Sequence, residues 1–168
     1  MLLTGGSSGI GFQAVAQMLQ AGHRLTVLCR DAATADRLRR QLSGRLQTIL
    51  CDLADLASIE ACADALLAAA GPIDSLVLNA GLQYSGAAEP RWSVQGFELT
   101  IAVNPLAHRA LLQRLLPLLL QGTAPRRVVT ASEVHDPSTA GGKGGQPAGL
   151  ANLAGLRQGP GAAMLDGG

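Results

Sequence analysis

The sequence predicts an α/β fold in which helices cover both faces of a doubly wound parallel sheet. Short apolar runs alternate with longer segments of helical periodicity along most of the chain, an order typical of βαβ units with right-handed crossovers. The apolar runs show no alternation of apolar and polar residues, as expected for strands that are covered on both faces. We therefore expect an incomplete doubly wound sheet of about five parallel strands.

The predicted strands are short runs rich in Leu, Val, Ile and Thr, and they span residues 2–3, 25–28, 46–50, 75–78 and 127–130. The predicted helices span residues 11–21, 32–42, 56–70 and much of 92–121. The first three end near Gly22, Gly44 and Gly71, because glycine is the residue most often found just past a helix end. Pro105 predicts a bend in the fourth helix. The second helix should direct three arginines outward, namely Arg37, Arg39 and Arg40.

Composition and charge argue against several classes of function. The net charge of +1 comes without a basic stripe, so we expect no nucleic-acid partner. The cysteines Cys29, Cys51 and Cys62 form no CxxC pair, which favours structural thiols in a reducing compartment and gives no support for a metal site. The most apolar run, residues 111–120, is interrupted by Arg114 and Pro117, so no integral membrane segment is expected. Because the glycine motif follows Met1 almost at once, we expect no signal peptide and a cytoplasmic protein.

The most specific motif lies between the first strand and the first helix and reads Thr4-Gly5-Gly6-Ser7-Ser8-Gly9-Ile10-Gly11. Glycines permit a tight turn and the close approach of a pyrophosphate, while the free N–H groups of the following helix attract the anion. We predict that this loop binds a dinucleotide through Gly5, Ser7, Ser8, Gly9, Ile10 and Gly11. The alternative is a plain turn. For Thr4 we expect a structural hydroxyl that fixes the loop.

A change in composition at Ser138 divides the chain into two parts. Residues 1–137 are predicted to form a dinucleotide-binding domain of the Rossmann type. Residues 138–168 are rich in glycine and are interrupted by Pro147 and Pro160, so we expect a long loop or a disordered tail.

Six motifs, in order, resemble those of the short-chain dehydrogenase/reductase family. They are the glycine loop, Cys29-Arg30 after the second strand, Asp52-Leu53 after the third, Asn79-Ala80-Gly81 after the fourth, Val103-Asn104 in the long helix and Ala131-Ser132 after the fifth strand. The resemblance covers residues 2–137. It implies hydride transfer between a nicotinamide cofactor and a small, apolar carbonyl, alcohol or C=C substrate.

A narrower resemblance points to retinol dehydrogenases and light-dependent protochlorophyllide reductases. It rests on residues 96–99, 103–108 and 132–137, and on a tail with Gly141-Gly142-Lys143, spaced leucines and Met164-Leu165-Asp166-Gly167. Pro105 departs from this pattern, because that subfamily usually has histidine there. The resemblance implies a retinoid-like or protochlorophyllide-like substrate class.

Arg30 predicts the type of nicotinamide cofactor. It follows the second strand, where an acidic residue would accept a hydrogen bond from the ribose 2′-hydroxyl of NAD and an arginine would donate to the 2′-phosphate of NADP(H). We predict NADP(H); the alternative is a solvated arginine. Asp52 is predicted to accept from the adenine amino group, with Leu53 against the ring. The alternative for Asp52 is the N-cap of the next helix, a role for which Asp55 competes.

The remaining site residues take their expected roles from the family resemblance. Asn79 should hold the central strand ends together and line the nicotinamide ribose, with Ala80 and Gly81 keeping the passage narrow. The resemblance implies that Asn104 anchors a proton-relay water and that Ser132 hydrogen-bonds the substrate carbonyl. An alternative for Asn104 is that it satisfies the carbonyl that Pro105 leaves without a donor, and a shift of one residue would put Glu133 in place of Ser132. Structural roles are expected for two histidines, His108 and His135.

The family pairs its catalytic Tyr with a Lys four residues later, because a phenol is a poor base at neutral pH without a nearby cation. The chain has Tyr84 and Lys143 and no Tyr-x-x-x-Lys. We expect a fragment of a longer reductase; the alternative is a non-catalytic NADP-binding module or a decaying paralogue. Uncovered apolar residues at Leu78, Val128 and Val129 would favour self-association.

Overall fold

A computed structural model of the chain describes residues 1–83, 90–133, 136 and 138–139. The described residues form one sheet of parallel strands in the order β3-β2-β1-β4-β5. The strands are β1 (Leu2–Thr4), β2 (Leu25–Cys29), β3 (Leu46–Leu50), β4 (Ser75–Leu78) and β5 (Arg126–Val129). The helices are α1 (Gly9–Gln20), α2 (Ala32–Gln41), α3 (Leu56–Ala68), α4 (Leu99–Ile101), a π-helical turn (Ala102–Leu106) and α5 (Ala107–Leu119). The predicted fold class is confirmed.

Each face of the sheet has its own apolar core, because successive strand residues point to opposite faces. On β1, Leu3 joins a cluster with Val15 of α1 and Leu38 of α2. Its neighbour Leu2 joins the opposite cluster, with residues of α3 and α5 that include Leu111. The strands are therefore covered on both faces, which explains their continuous apolar sequence.

The fourth predicted helix begins later than expected. Residues 92–98 form a turn, in which Trp92 and Glu98 make an antiparallel bridge and Gly96 has a φ of +76°, a value that a right-handed helix does not accept. The Glu98 carboxylate then accepts from the Ile101 N–H at 3.0 Å and caps α4. The helix irregularity predicted near Pro105 is confirmed as the π-helical turn, in which the Ala107 N–H donates to the Ala102 carbonyl.

The expected exposure of three strand residues is confirmed for two of them. Val128 is 48% exposed and Val129 is 51% exposed, because β5 pairs with β4 alone among the described strands. The prediction is wrong for Leu78, which is 3% exposed. Its side chain joins the core cluster that also contains Ala107 and Leu111 of α5. Self-association through β5 stays a prediction.

The structure describes few residues of the predicted tail. Among residues 138–168 only 138–139 are described, so the division at residue 137 stays a prediction. Of the helices in the described ranges, none has the length and apolar character that crossing a membrane requires. The described residues also include no group of three or more His, Cys, Asp or Glu side chains able to hold a metal ion.

The cores predict a strong difference between two leucines of α5. Leu111→Ala should lower the free energy of unfolding by about 2–5 kcal/mol, because Leu111 is fully buried and its truncation leaves a cavity. Leu116→Ala on the same helix, where Leu116 is 42% exposed, should lower it by less than about 1 kcal/mol. Urea unfolding monitored by circular dichroism measures both, and equal losses would contradict the assignment of α5 to the core.

Candidate functional site

An open cavity lies at the carboxyl ends of the strands and has a volume of about 930 Å³. It spans the point between β1 and β4 where the strand order reverses, the usual ligand position in open α/β sheets. Every residue predicted to contact the cofactor lines it: Gly5, Ser7, Ser8, Gly9, Ile10, Gly11, Arg30, Asp52, Leu53, Asn79, Ala80 and Gly81. The structure thus brings the predicted residues, which follow β1, β2, β3 and β4, into one cavity.

The glycine loop has a separate reason for glycine at each of three positions. Gly5 has a φ of +70°, and a Cβ there would lie 2.6 Å from the Ala80 Cα. A Cβ on Gly11 would overlap the carbonyl oxygen of Gly5. Gly9 has a φ of +53° and open space where its Cβ would be. Gly5 and Gly11 allow close packing of the backbone, and Gly9 leaves open space at the start of α1.

The N-terminus of α1 is suited to an anion. The Ser8 side chain makes no capping hydrogen bond with the helix, and the first turn contains no acidic residue. The first N–H groups of a helix have no partner within it and carry part of the positive end of the helix dipole. A phosphate group is the ligand that such a terminus attracts.

Thr4 and Asn79 connect the ends of the central strands. The Thr4 hydroxyl oxygen accepts from the backbone N–H groups of Asn79 and Ala80, each at 3.0 Å. The Asn79 amide donates to the Gly5 carbonyl at 3.3 Å, and its oxygen accepts from the Thr130 hydroxyl at 3.0 Å. The Thr4 hydroxyl is structural, as predicted, but it holds the backbone after β4 and not the glycine loop. Asn79 connects the strand ends, as predicted, and its contact with a nicotinamide ribose stays a prediction.

Two arginines line the cavity beside β2, on the other side of β1 from the loop that follows β4. Arg30 is exposed and forms an ion pair with Asp31 at 3.2 Å. Asp31 caps α2 by accepting from the Thr34 N–H at 2.8 Å, and this hydrogen bond lowers the pKa of its carboxyl group. Arg37 also lines the cavity. The sequence interpretation missed Arg37 because it placed the side chain only on a solvent face; its position three residues after Thr34, on the same face of α2, was the available signal.

Asp52 does not cap α3. Its side chain accepts from the Ala54 N–H at 2.9 Å, and the N-cap of α3 is Asp55, which accepts from the Ala57 N–H at 3.0 Å. The alternative role proposed for Asp52 is thus wrong, because the helix begins three residues later. Its predicted contact with adenine, like that of Leu53, is untested.

The side chain of Asn104 holds a backbone segment after β4. Its oxygen accepts from the Leu82 N–H at 2.9 Å, and its amide donates to the Leu82 carbonyl at 3.0 Å. The alternative in which it satisfies the carbonyl freed by Pro105 is therefore wrong. Asn104 lies in the π-helical turn and reaches the loop that follows β4, and its role toward a water stays a prediction.

Ser132 is exposed beyond the end of β5 and is not among the residues that line the described cavity. Thr130 does line it; the sequence interpretation missed this residue, although a hydroxyl at a strand end was the available signal. Tyr84, His135 and Lys143 lie outside the described residues. The catalytic role of Ser132 therefore stays a prediction.

His108 is 8% exposed, and its Nε2 lies 3.0 Å from the Thr4 hydroxyl oxygen. Burial lowers the pKa of the imidazole, and a hydrogen bond to the Asn104 backbone opposes the shift without cancelling it. A depressed folded-state pKa means that the unfolded chain binds the proton more readily. His108 therefore contributes stability above its unfolded pKa of about 6.5, and this contribution falls as the pH drops through that value toward the lower folded pKa.

The lowered pKa of His108 predicts that stability depends on pH in a way that His108→Gln removes. The free energy of unfolding of the native chain should decrease more steeply between about pH 6.5 and pH 5 than that of His108→Gln, which has no titrating group there. Urea unfolding at several pH values measures both curves. Parallel curves would contradict a buried, neutral His108.

Comparison with known proteins identifies relatives in sequence. Protochlorophyllide reductase A, chloroplastic, of Oryza sativa subsp. japonica is 32% identical over 177 residues, which cover 99% of this chain and 46% of that protein. Short chain dehydrogenase rstn4 of Aspergillus nomiae is 36% identical over 149 residues, which cover 80% of this chain and 40% of that protein. The chain thus spans about half the length of the curated relatives that it matches.

Solved structures share the fold. The NADP active-site complex of Pseudomonas aeruginosa RhlG has a TM-score of 0.67 and 30% identity, and the match covers 93% of this chain and 59% of that chain. A metagenomic short-chain oxidoreductase in complex with NADP has a TM-score of 0.68 and 28% identity over 83% of this chain and 65% of that chain. The family model described as short chain dehydrogenase matches residues 1–143. The chain therefore belongs to the short chain dehydrogenase family.

Proposed function

We propose that the chain supplies the NADP(H)-binding half of an oxidoreductase that transfers hydride between the nicotinamide and a carbonyl, alcohol or C=C substrate. The observation that carries the proposal is the gathering of every predicted cofactor residue in one cavity at the strand ends. The presence of NADP in the solved complexes of similar proteins supports the choice of cofactor.

The cavity fits a dinucleotide phosphate in two places. At one end, Gly9 leaves open space beside the N-terminus of α1, where the pyrophosphate is expected. At the other, Arg30 and Arg37 line the wall after β2, where their N–H donors suit a ribose 2′-phosphate. Asp52 and Leu53 would then face the adenine.

The loop Asn79–Leu82 would form the nicotinamide side of the site. Asn79, Ala80, Gly81 and Leu82 line the cavity, and their backbone is held by Thr4 and Asn104. When bound, the nicotinamide supplies the hydride chemistry itself. The chain's own residues bind it, orient it and limit the space beside it.

Proton transfer requires a group that the described site does not contain. The chain has no Tyr-x-x-x-Lys, so we propose that the proton donor of the family reaction is absent from residues 1–168 and that this chain alone does not turn over. Ser132 and Asn104 are proposed to assist, at the substrate carbonyl and at a relay water respectively. The second candidate function, a non-catalytic NADP-binding module, rests on the same missing motif.

The proposed substrate class is supported by the relatives alone. The matches to protochlorophyllide reductases support a protochlorophyllide-like substrate, and a retinoid-like substrate remains the alternative. A cytoplasmic location stays a prediction.

Binding of NADPH tests the proposal with a reporter that the chain already contains. Trp92 is the only tryptophan and lines the cavity, so NADPH should quench its fluorescence by energy transfer. The expected result is saturable quenching with a micromolar dissociation constant, about 1–100 μM, and at least about tenfold weaker binding of NADH. Absence of saturable quenching by either cofactor would overturn the proposal.

Turnover separates the two candidate functions. A longer gene product that contains Tyr-x-x-x-Lys and oxidises NADPH with a carbonyl or C=C substrate would support the reductase. Binding of NADPH by the 168-residue chain, with no turnover by any longer product, would support the non-catalytic module.

A further inference from the structure

Two hydrogen-bonded clamps hold the loop Asn79–Leu82 at its two ends. At the start, the Thr4 hydroxyl oxygen accepts the N–H groups of Asn79 and Ala80. At the end, the Asn104 side chain binds both the N–H and the carbonyl of Leu82. The loop between the clamps forms part of the cavity wall.

The imidazole of His108 contacts the first of these two clamps. Its Nε2 is 3.0 Å from the Thr4 hydroxyl oxygen. His108 comes from α5 and Thr4 from β1. One side chain therefore contacts the residue that fixes the start of the loop, although it is not among the cavity-lining residues itself.

The Thr4 hydroxyl is the hydrogen-bond donor in its contact with His108. A hydroxyl oxygen has two lone pairs and one hydrogen, and the N–H groups of Asn79 and Ala80 occupy both lone pairs. The hydroxyl hydrogen must then point to Nε2, so Nε2 carries no proton. The other ring nitrogen, Nδ1, then carries the hydrogen of the neutral imidazole.

Burial makes these bonds difficult to replace. Thr4 is 0% exposed, and His108 is nearly as well buried, so water does not readily substitute for a lost partner. A buried polar group without a partner is costly, and neighbouring groups move to satisfy it. Removal of the imidazole would release the Thr4 hydroxyl to turn away from its present position.

We propose that His108 is a positioning residue that fixes the start of the loop Asn79–Leu82 through Thr4. The proposal rests on the proposed function, because this loop forms the nicotinamide side of the cofactor site. His108 acts through Thr4 and does not itself line the cavity. The shape of the cavity wall at Asn79 and Ala80 then depends on one buried hydrogen-bond acceptor.

Hydrogen exchange of single amides tests the locking without any cofactor. In His108→Leu, the amides of Asn79 and Ala80 should exchange about tenfold faster than in the native chain. The amide of Leu82, which is bonded to the Asn104 side chain, should stay within about threefold of its native rate. His108→Gln, whose side-chain oxygen accepts from the Thr4 hydroxyl, should stay within about threefold of the native rates.

Leu118→Ala is the matched control, because Leu118 is a buried residue near the other end of α5. It should lower global stability and leave exchange in the loop unchanged relative to the strands. Equal rates at Asn79 and Ala80 in the Leu and Gln variants of His108, or a rate at Leu82 that rises as much as theirs, would overturn the proposal. If His108→Leu does not fold, Thr4→Val against Thr4→Ser tests the same hydroxyl, with loss of protection expected for valine alone.

Cofactor affinity is a second measurement, and it distinguishes failure of the positioning role of His108 from failure of the proposed function. His108→Leu should raise the dissociation constants of NADPH and NADH by the same factor, about tenfold, because both cofactors share the nicotinamide half. A native chain that binds neither cofactor would contradict the proposed function, while the exchange rates would still decide the role of His108. A native chain that binds NADPH, with His108→Leu unchanged in affinity and exchange, would overturn the positioning role alone.

Discussion

Gly9→Ala is expected to raise the dissociation constant of NADPH by about 100-fold while the chain stays folded. Gly9 lines the cavity at the start of α1 and has open space where its Cβ would be. A methyl group there meets no protein atom, but it occupies the cradle that the pyrophosphate would enter. Its φ of +53° adds backbone strain of about 1–2 kcal/mol in both the free and the bound chain, so strain alone does not change affinity.

Gly22→Ala is the matched control for this prediction. Gly22 follows the end of α1 with a φ of +83°, and it also has open space where its Cβ would be, but it does not line the cavity. The two variants should lose similar stability, about 1–2 kcal/mol, measured by urea unfolding. Quenching of Trp92 fluorescence should show weakened NADPH binding for Gly9→Ala alone. Equal affinities in the two variants would contradict a phosphate site at α1.

Arg30→Glu is expected to raise the dissociation constant of NADPH by about 100-fold and that of NADH by less than about threefold. The reason is that a guanidinium donates to a 2′-phosphate, whereas a carboxylate repels it and accepts from a 2′-hydroxyl. Because Arg30 is exposed and its partner Asp31 is a surface carboxylate, the substitution should leave stability within about 1 kcal/mol of the native value.

Arg40→Glu controls for the change in net charge. Arg40 is exposed on α2 and is not among the cavity-lining residues, so its reversal should change NADPH affinity by less than about threefold. Arg37→Glu, at a cavity-lining position, should weaken NADPH by about tenfold. An unchanged ratio of NADPH to NADH affinity in Arg30→Glu would contradict the cofactor assignment.

The ends of most helices and strands follow from local sequence. Residues 46–50 and 75–78 were predicted as strands, and β3 and β4 have those bounds. The end of α1 just before Gly22 was predictable, because a glycine adopts the positive φ found there without help from distant residues. The start of α4 was not predictable in this way, because residues 92–98 have apolar spacing like a helix and form a turn through the bridge between Trp92 and Glu98.

Part of the candidate site was also predictable from sequence, and part was not. The glycine loop, Arg30 and the Asn79-Ala80-Gly81 motif were predictable, because each follows a strand and parallel strands bring their carboxyl ends to one edge of the sheet. The partner of Asn104 was not, since Leu82 lies 22 residues away on another element. Arg37 was placed only in solvent, because helix periodicity does not show that the cavity extends along the first turns of α2.

The sequence by itself determined the fold class, the parallel order of strands and helices and the glycine turn after β1, because apolar periodicity and glycine conformations are properties of neighbouring residues. Only the tertiary structure decided that Asp55 caps α3 in place of Asp52, that Leu78 is covered by α5, and that His108 contacts Thr4. The residues His108 and Thr4 are 104 positions apart. A hydrogen bond depends on donor and acceptor meeting within about 3 Å, and that distance is set by how β1, α5 and the π-helical turn pack together.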